Sequence, residues 1–254
     1  MSAMDSTLRG SLADRAKEIT QRELAKYAER TAGSQRANAR ARKVLPLGVP
    51  SSFQAYDPYP VVIASADGSK MFDVDGNEYT DFDMGFGALF VGHRHPAVLA
   101  AVQQQLGEGT LFVNPCEANA DVAEMLAARY GLPMWRFTNS GTEATMDAIR
   151  VARAATGRDK IVKVEGGYHG HHDEVMVSMK PSLDLAGPAD APFSIPASAG
   201  ISKKVLSDTI VIPYNDARAL ERVLKSGDVA CFIVEPIMEN IGICLPDEGY
   251  LQEV

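Results

Sequence analysis

Apolar residues recur along this chain in two rhythms, and the change from one to the other divides it. Leu12, Ala16, Ile19, Leu24 and Tyr27 fall at three- to five-residue steps. That spacing predicts a helix over 8–45 with one apolar stripe, broken near Gly33-Ser34. The prolines and glycine of 46–60 predict a loop, and its Ser51-Ser52-Phe53-Gln54 cluster has the hydroxyls and aromatic ring of a pocket wall. Three short runs follow, Val61–Ile63, Lys70–Phe72 and Glu78–Thr80. They are divided by Asp67-Gly68 and Asp75-Gly76-Asn77, which predicts a small antiparallel meander. Helices are expected over 97–106, with Pro96 in its first turn, and over 119–130, closed by Gly131-Leu132-Pro133.

From residue 134 onward the rhythm is that of a layered α/β fold. Met134–Phe137 reads as a buried strand and is followed by an alanine-rich helical pattern that Gly157 ends. Strands are then expected at 160–164, 175–177, 209–212 and 231–234, with a helix over 217–224 capped by Asn215 or Asp216. Residues 180–204, rich in Pro, Ala, Ser and Gly, read as a lid, an interface segment or disorder. Short apolar strands alternating with helices predict a mostly parallel sheet covered on both faces.

Bulk composition narrows the function. With 46% hydrophobic and 23% charged residues over 254 positions, the chain has ample core for one large domain or two modest ones. A net charge of −8 argues against nucleic acid or an anionic membrane as the main partner. Cys116, Cys231 and Cys244 are scattered and odd in number, which suits a reducing compartment. The first ten residues contain no apolar leader segment, and no run reaches the ~20 apolar residues of a membrane span, so a cytoplasmic protein is expected.

In parallel α/β sheets ligands sit beyond the carboxyl ends of the strands. Three such ends carry chemistry here. Ser140-Gly141-Thr142 opens a helix, where unpaired amides and the dipole suit an anion; with Glu143, Ser140 equally reads as an ordinary capping box. Tyr168 and His169 add an aromatic plate and an imidazole on a glycine-rich turn, and Glu235 and Asn240 a carboxylate and an amide. A phosphate cradle with an aromatic plate describes a site for a flat, phosphorylated cofactor. The single glycine of N-S-G-T-E-A lacks the dinucleotide fingerprint, and no Walker A loop is present. A metal reading of His93 with His95 lacks a carboxylate or third ligand at useful spacing, and one of His169 to Asp173 is disfavoured because adjacent histidines cannot easily share one face.

These segments occur together in a familiar order: D-V-D-G-N-E-Y at 73–79, G-H-R-H-P at 92–96, R-F-T-N-S-G-T-E-A at 136–144, R-V-A-R-A-A-T-G-R at 150–158, G-G-Y-H-G-H-H-D at 166–173, P-Y-N-D at 213–216 and V-E-P-I-M-E-N at 234–240. The chain resembles the class III pyridoxal-phosphate aminotransferases of fold type I, in the branch of glutamate-1-semialdehyde aminomutase. The resemblance implies an N-terminal helix and meander in residues 1–85 and an incomplete cofactor-binding large domain in 86–254. It implies that Ser140, Gly141 and Thr142 hold the 5′-phosphate of pyridoxal phosphate and that Tyr168 stacks on its ring with His169 beside it. Glu235 and Asn240 would lie near the ring, and 180–204 would be the branch's mobile loop. A small-molecule amino donor and acceptor and a homodimer are implied as partners.

Two departures from that pattern shape the expectation. Nothing in 1–254 matches the D-E-V-x-x-G-x-R segment or the Schiff-base lysine, and none of Lys160, Lys163, Lys180, Lys203, Lys204 or Lys225 stands in its place. The chain ends in what reads as the first turn of a helix, so an N-terminal portion, inactive by itself, is expected. On the substrate side, Gln54 stands where the branch has an arginine, and Phe86 takes the place of a pocket tryptophan. Ser52, Gln54 and Phe86 are therefore the candidate substrate residues, and losing the guanidinium's bidentate hold on a carboxylate opens the pocket to a hydrophobic or β-amino acid, or an amine. A racemase or decarboxylase on the same scaffold, or a truncated non-catalytic homologue, are the alternatives.

Overall fold

The computed structural model describes the backbone from Ala3 to Val254 and the side chains from Ser11 onward. The expectation about a leader in the first ten residues lies outside the described side chains. The chain divides into two compact units, residues 1–116 and 117–254. Among the described residues no helix is long and apolar enough to cross a membrane.

In the first unit, α1 (Ala3–Arg30) and α2 (Ala32–Ala41) are separated at Thr31 rather than at Gly33-Ser34. Thr31 leaves the helical region, and its hydroxyl donates to the Tyr27 carbonyl at 2.6 Å. The α2 start is capped from a distance, because the Asp75 carboxylate accepts the amides of Gly33 (2.5 Å) and Ser34 (2.9 Å). A β-carbon at Gly33 would lie 2.6 Å from that carboxylate and would push the cap aside. The meander is β1 (Ile63–Asp67), β2 (Lys70–Asp73) and β3 (Glu78–Thr80), in that order and antiparallel, with Met71 opposite Tyr79. The Val61–Ile63 run thus only leads into the first strand. Buried Asp73 accepts from the amides of Asp75 and Asn77, the Asn77 side chain and the Tyr79 hydroxyl. Burial works to raise its pKa, but those donors outweigh it and hold the carboxyl below its usual range. Helix α3 (Pro96–Glu108) starts with its proline in the first turn, as expected.

The second unit contains α4 (Glu117–Tyr130), α5 (Gly141–Thr156), β4 (Lys160–Val164), α6 (Lys203–Asp208), β5 (Thr209–Ile212), α7 (Ala217–Leu224), β6 (Val229–Ile233) and α8 (Tyr250–Glu253). The strands form a parallel sheet in the order β5-β4-β6, with Val162 opposite Ile210 on one side and Phe232 on the other. Central β4 is buried on both faces. Val162 and Val164 pack with Ile212, Ala219, Leu220, Val229 and Met238, and Ile161 packs with Ile149 and Val175. Helix α5 ends as its sequence predicts, on Gly157 in the left-handed region (φ 67°).

Two expected strands are absent. Met134–Phe137 pairs with no strand among the described residues, and Met134 is 87% exposed, so nothing supplies the ladder or the cover that a buried strand needs. Val175 and Val177 are buried, but the segment makes only a single bridge, Val177 to Pro196, and a proline cannot donate to extend a ladder. The 180–204 segment is irregular and stapled at its base. Ser178 exchanges backbone and hydroxyl hydrogen bonds with Phe193 and Ile195, and the Ser194 hydroxyl donates to the Thr209 carbonyl.

Exposed apolar residues cover much of this unit, including Met134, Phe137, Leu183, Ile243 and Leu245, and β5 and β6 each leave one edge unpaired among the described residues. The chain should therefore self-associate as its concentration rises, seen as a concentration-dependent sedimentation coefficient. A single monomeric species at every concentration would count against this.

Candidate functional site

The site is built on the start of α5. Ser140 adopts an extended backbone, and its hydroxyl accepts from the Glu143 amide at 3.3 Å. The reciprocal arm of the predicted capping box lands one residue early: the Glu143 carboxylate accepts from the Asn139 amide at 2.6 Å. The first intrahelical bond runs from Ala144 to Ser140, so the amides of Gly141 and Thr142 point out of the helix start without helical acceptors. Gly141 is exposed, with nothing within 4 Å of where a β-carbon would stand. The arrangement is an open, positively polarised cradle that suits a phosphate.

Two contacts join this cradle to the turn that follows β4. The Thr142 hydroxyl accepts from the His171 amide at 3.0 Å and keeps its own proton to donate. The Thr145 hydroxyl donates to the His169 carbonyl at 2.6 Å. Gly170, at φ 114°, permits this approach, because a β-carbon there would lie 2.8 Å from the Thr142 Cα. The turn leaves Tyr168 47% exposed and His169 buried. Burial pushes the His169 imidazole down to about 4, helped by Lys163 and then His172, so the ring is neutral at neutral pH. Its Nε2 is buried without a hydrogen-bond partner among the described residues.

The end of β6 completes the set. Glu235 accepts from the Tyr168 amide at 2.7 Å and from the Glu239 amide at 3.0 Å, so its carboxylate fixes the aromatic turn through the backbone. The Asn240 side chain donates to the carbonyls of Gly166 (2.9 Å) and Met179 (3.2 Å), closing the other side of that turn. Ser140, Gly141, Thr142, Tyr168, His169, Glu235 and Asn240 thus belong to one continuous set of contacts. Ser52, Gln54 and Phe86 lie in the first unit. The first two sit on a 3-10 turn (Ser52–Gln54), and the Phe86 ring meets Phe53 edge-on at 5.4 Å between centroids.

Further residues emerged only from the structure. Thr145, one turn into α5, and Gly170 form the seam described above. His172 pairs with Glu174 at 3.0 Å, and Arg153 of α5 reaches the other oxygen of that carboxylate at 3.1 Å. Burial works to raise the Glu174 carboxyl, but these donors hold it below its usual range. The available signal was local: Thr145 follows Gly141 by four residues and so shares its helix face. Among the described residues, no three His, Cys, Asp or Glu side chains come together as a metal would require. His93, weighed as a ligand from sequence, instead pairs with Asp81 at 2.8 Å.

Comparison with known proteins places the chain in a family. The chain is 41% identical over 216 residues to the glutamate-1-semialdehyde 2,1-aminomutase of Methanothrix thermoacetophila, covering 85% of this chain and 49% of that protein. Among solved structures, a glutamate-1-semialdehyde-aminomutase from Pseudomonas aeruginosa PAO1 superposes with a TM-score of 0.84 at 32% identity, over 95% of this chain and 52% of that one. An omega-transaminase from Sphaerobacter thermophilus gives 0.82 at 36% identity, over 86% and 50%. The chain spans about half the length of the curated relatives it matches. The fold is the α/β fold of the type I pyridoxal-phosphate enzymes. Matched by the family described as aminotransferase class-III over residues 52–254, the chain belongs to the class-III aminotransferases.

Proposed function

We propose that residues 117–254 bind pyridoxal 5′-phosphate for an aminotransferase or aminomutase that acts on an amino acid or amine. The observation that carries this reading is the seam between the α5 start and the Tyr168 turn, made by His171 to Thr142 and by Thr145 to His169. It sets an anion cradle next to an aromatic plate, and the class-III family is pyridoxal-phosphate dependent. The cofactor, when bound, supplies an electron sink for charge developing on the substrate carbon beside the amine. The chain's own residues bind and orient. The Gly141 and Thr142 amides and the Ser140 and Thr142 hydroxyls take the phosphate. Tyr168 covers the ring, and neutral His169 adds a polar atom without a competing positive charge. Glu235 and Asn240 hold the turn that carries Tyr168.

No lysine of this chain forms the covalent link to the cofactor in our reading. Lys163 is fully buried and spends its amine on two backbone carbonyls. Gln54 in place of an arginine, with Phe86 nearby in the same unit, favours a substrate with an apolar body over one held by a second carboxylate. By family likeness the active form is a homodimer working between a small amino donor and an acceptor.

Binding of pyridoxal 5′-phosphate and of inorganic phosphate to the full chain, followed by calorimetry, tests the cofactor assignment. Thr142→Val should weaken both ligands about 10-fold, the loss of one charge-assisted donor. Tyr168→Ala should weaken only the ring-bearing ligand. Unchanged affinities in both variants would sink the assignment. Borohydride reduction should leave no cofactor attached to a specific lysine of this chain.

A further inference from the structure

Lys163 is the least expected residue of the core. It lies within β4 on the same face as Ile161, and its side chain is fully buried. Its Nζ donates to the Val177 carbonyl at 2.6 Å and to the Val164 carbonyl at 3.2 Å. Taking an ammonium out of water is costly, and an apolar side chain of similar volume would avoid that cost. A lysine kept here therefore calls for a use for its charge.

The groups that face it supply one. Two carboxylates act on Lys163: Glu235 at the end of β6 and Glu165 at the end of its own strand. Glu235 is the residue that receives the Tyr168 and Glu239 amides. On the turn, the buried His169 imidazole feels Lys163 and His172, and His172 is paired with Glu174. The Val177 carbonyl belongs to the segment bridged to Pro196, and the neighbouring Ser178 carbonyl receives the Gly166 amide at the start of the Tyr168 turn. One buried cation thus holds the backbone on both sides of that turn: the Val164 carbonyl, which also receives the Gly167 amide at 3.1 Å, and the Val177 carbonyl, next to the Ser178 carbonyl that receives the Gly166 amide.

We propose that Lys163 is a positioning residue, whose buried ammonium acts through the Val164 and Val177 carbonyls to hold the 166–169 turn so that Tyr168 is presented at one place next to the α5 cradle. Its importance for cofactor binding rests on the reading that Tyr168 covers the ring. Without the ammonium, the Val164 and Val177 carbonyls lose their shared donor, and the turn that hangs from Val164 and Ser178 loosens at Tyr168. The seam bonds at His169 and His171 stay made, so the phosphate cradle keeps its donors.

The test is Lys163→Met in the full chain, read by two ligands and by amide hydrogen exchange. Affinity for pyridoxal 5′-phosphate should fall about 10-fold while that for inorganic phosphate changes less than about 2-fold. Exchange should accelerate at the Gly167 and Tyr168 amides and stay unchanged at Ala144, which donates within α5. Equal weakening of both ligands, or unaltered exchange at Tyr168, would overturn the proposal. If the unaltered chain binds phosphate but not pyridoxal 5′-phosphate, the cofactor reading fails while the exchange data still decide the role of Lys163.

A measurement on the unaltered chain covers the case of a variant that does not fold. Burial pushes the Lys163 ammonium down to about 8, with Glu235 and Glu165 working the other way. Raising the pH through 8 should therefore accelerate exchange at Gly167 and Tyr168, after correction for intrinsic base catalysis, with Ala144 unaffected. A flat corrected profile at Tyr168 would refute the role.

Discussion

Gly170→Ala should cost about 3–4 kcal/mol of stability and abolish measurable phosphate binding. The backbone there is at φ 114°, a region where an L side chain is strained by about 1–2 kcal/mol. The added β-carbon would lie 2.8 Å from the Thr142 Cα and 3.0 Å from its hydroxyl. A flexible side-chain tip could rotate away from such a contact, but a backbone carbon at the start of a helix cannot. Relief therefore requires α5 and the turn to move apart. That motion breaks the bonds from His171 to Thr142 and from Thr145 to His169, each worth about 1 kcal/mol.

Gly131→Ala is the matched control. Gly131 also has positive φ, at 70°, but nothing stands within 4 Å of its β-carbon position. Only the strain remains, about 1 kcal/mol, and phosphate binding is untouched. Urea denaturation and phosphate calorimetry on the two variants measure the difference. If Gly170→Ala behaves like Gly131→Ala, the seam between helix and turn is not what holds the cradle in place.

How much of this was legible beforehand depends on whether a feature is local. Strands β4, β5 and β3 and helix α7 lie where their residue patterns put them, because each is bounded by its own turn or cap residues, such as Asp216 accepting from the Ala219 amide. The anion cradle was readable for the same reason, since a cap and a helix start are a few consecutive residues. Met134–Phe137 misled because four apolar residues in a row carry no information about whether a partner strand runs beside them. The Glu235 and Asn240 contacts span 67 and 74 residues of sequence, which no local pattern encodes. Lys163 had a signal that went unread. In a strand covered on both faces every position is interior, so the second lysine of K-I-V-K-V had to be either a buried charge or a sign that the strand was not covered.

The same buried groups set how stability should respond to pH. Free histidine titrates near 6.5 and His169 is pushed down to about 4, by burial first and by Lys163 and His172 after it. Between those values the unfolded chain binds more protons than the folded one. The stability from His169 is therefore full above about 6.5 and falls as the pH drops toward 4, by about 3 kcal/mol. Lys163, pushed from 10.5 to about 8, acts in the same direction in a higher window. Below 8 the fold carries a buried ammonium at a cost, and raising the pH from 8 to 10 relieves about 2 kcal/mol of it. Glu165, raised by burial and opposed by Lys163, works the other way and trims the gain just above the usual carboxylate range.

Urea midpoints measured from pH 4 to pH 10 should thus climb to about 6.5, level off, and climb again beyond 8. Stopping at 10 avoids Tyr79, whose hydroxyl is pushed up to about 12 by burial and by its bond to Asp73, and which would cost stability as it ionises. Lys163→Met should erase the upper climb and leave the lower one. A decline between 8 and 10 in the unaltered chain would mean that the Lys163 ammonium stabilises the fold through its carbonyl and carboxylate partners. It would then be a structural ion rather than a charge kept at the expense of stability to hold Tyr168.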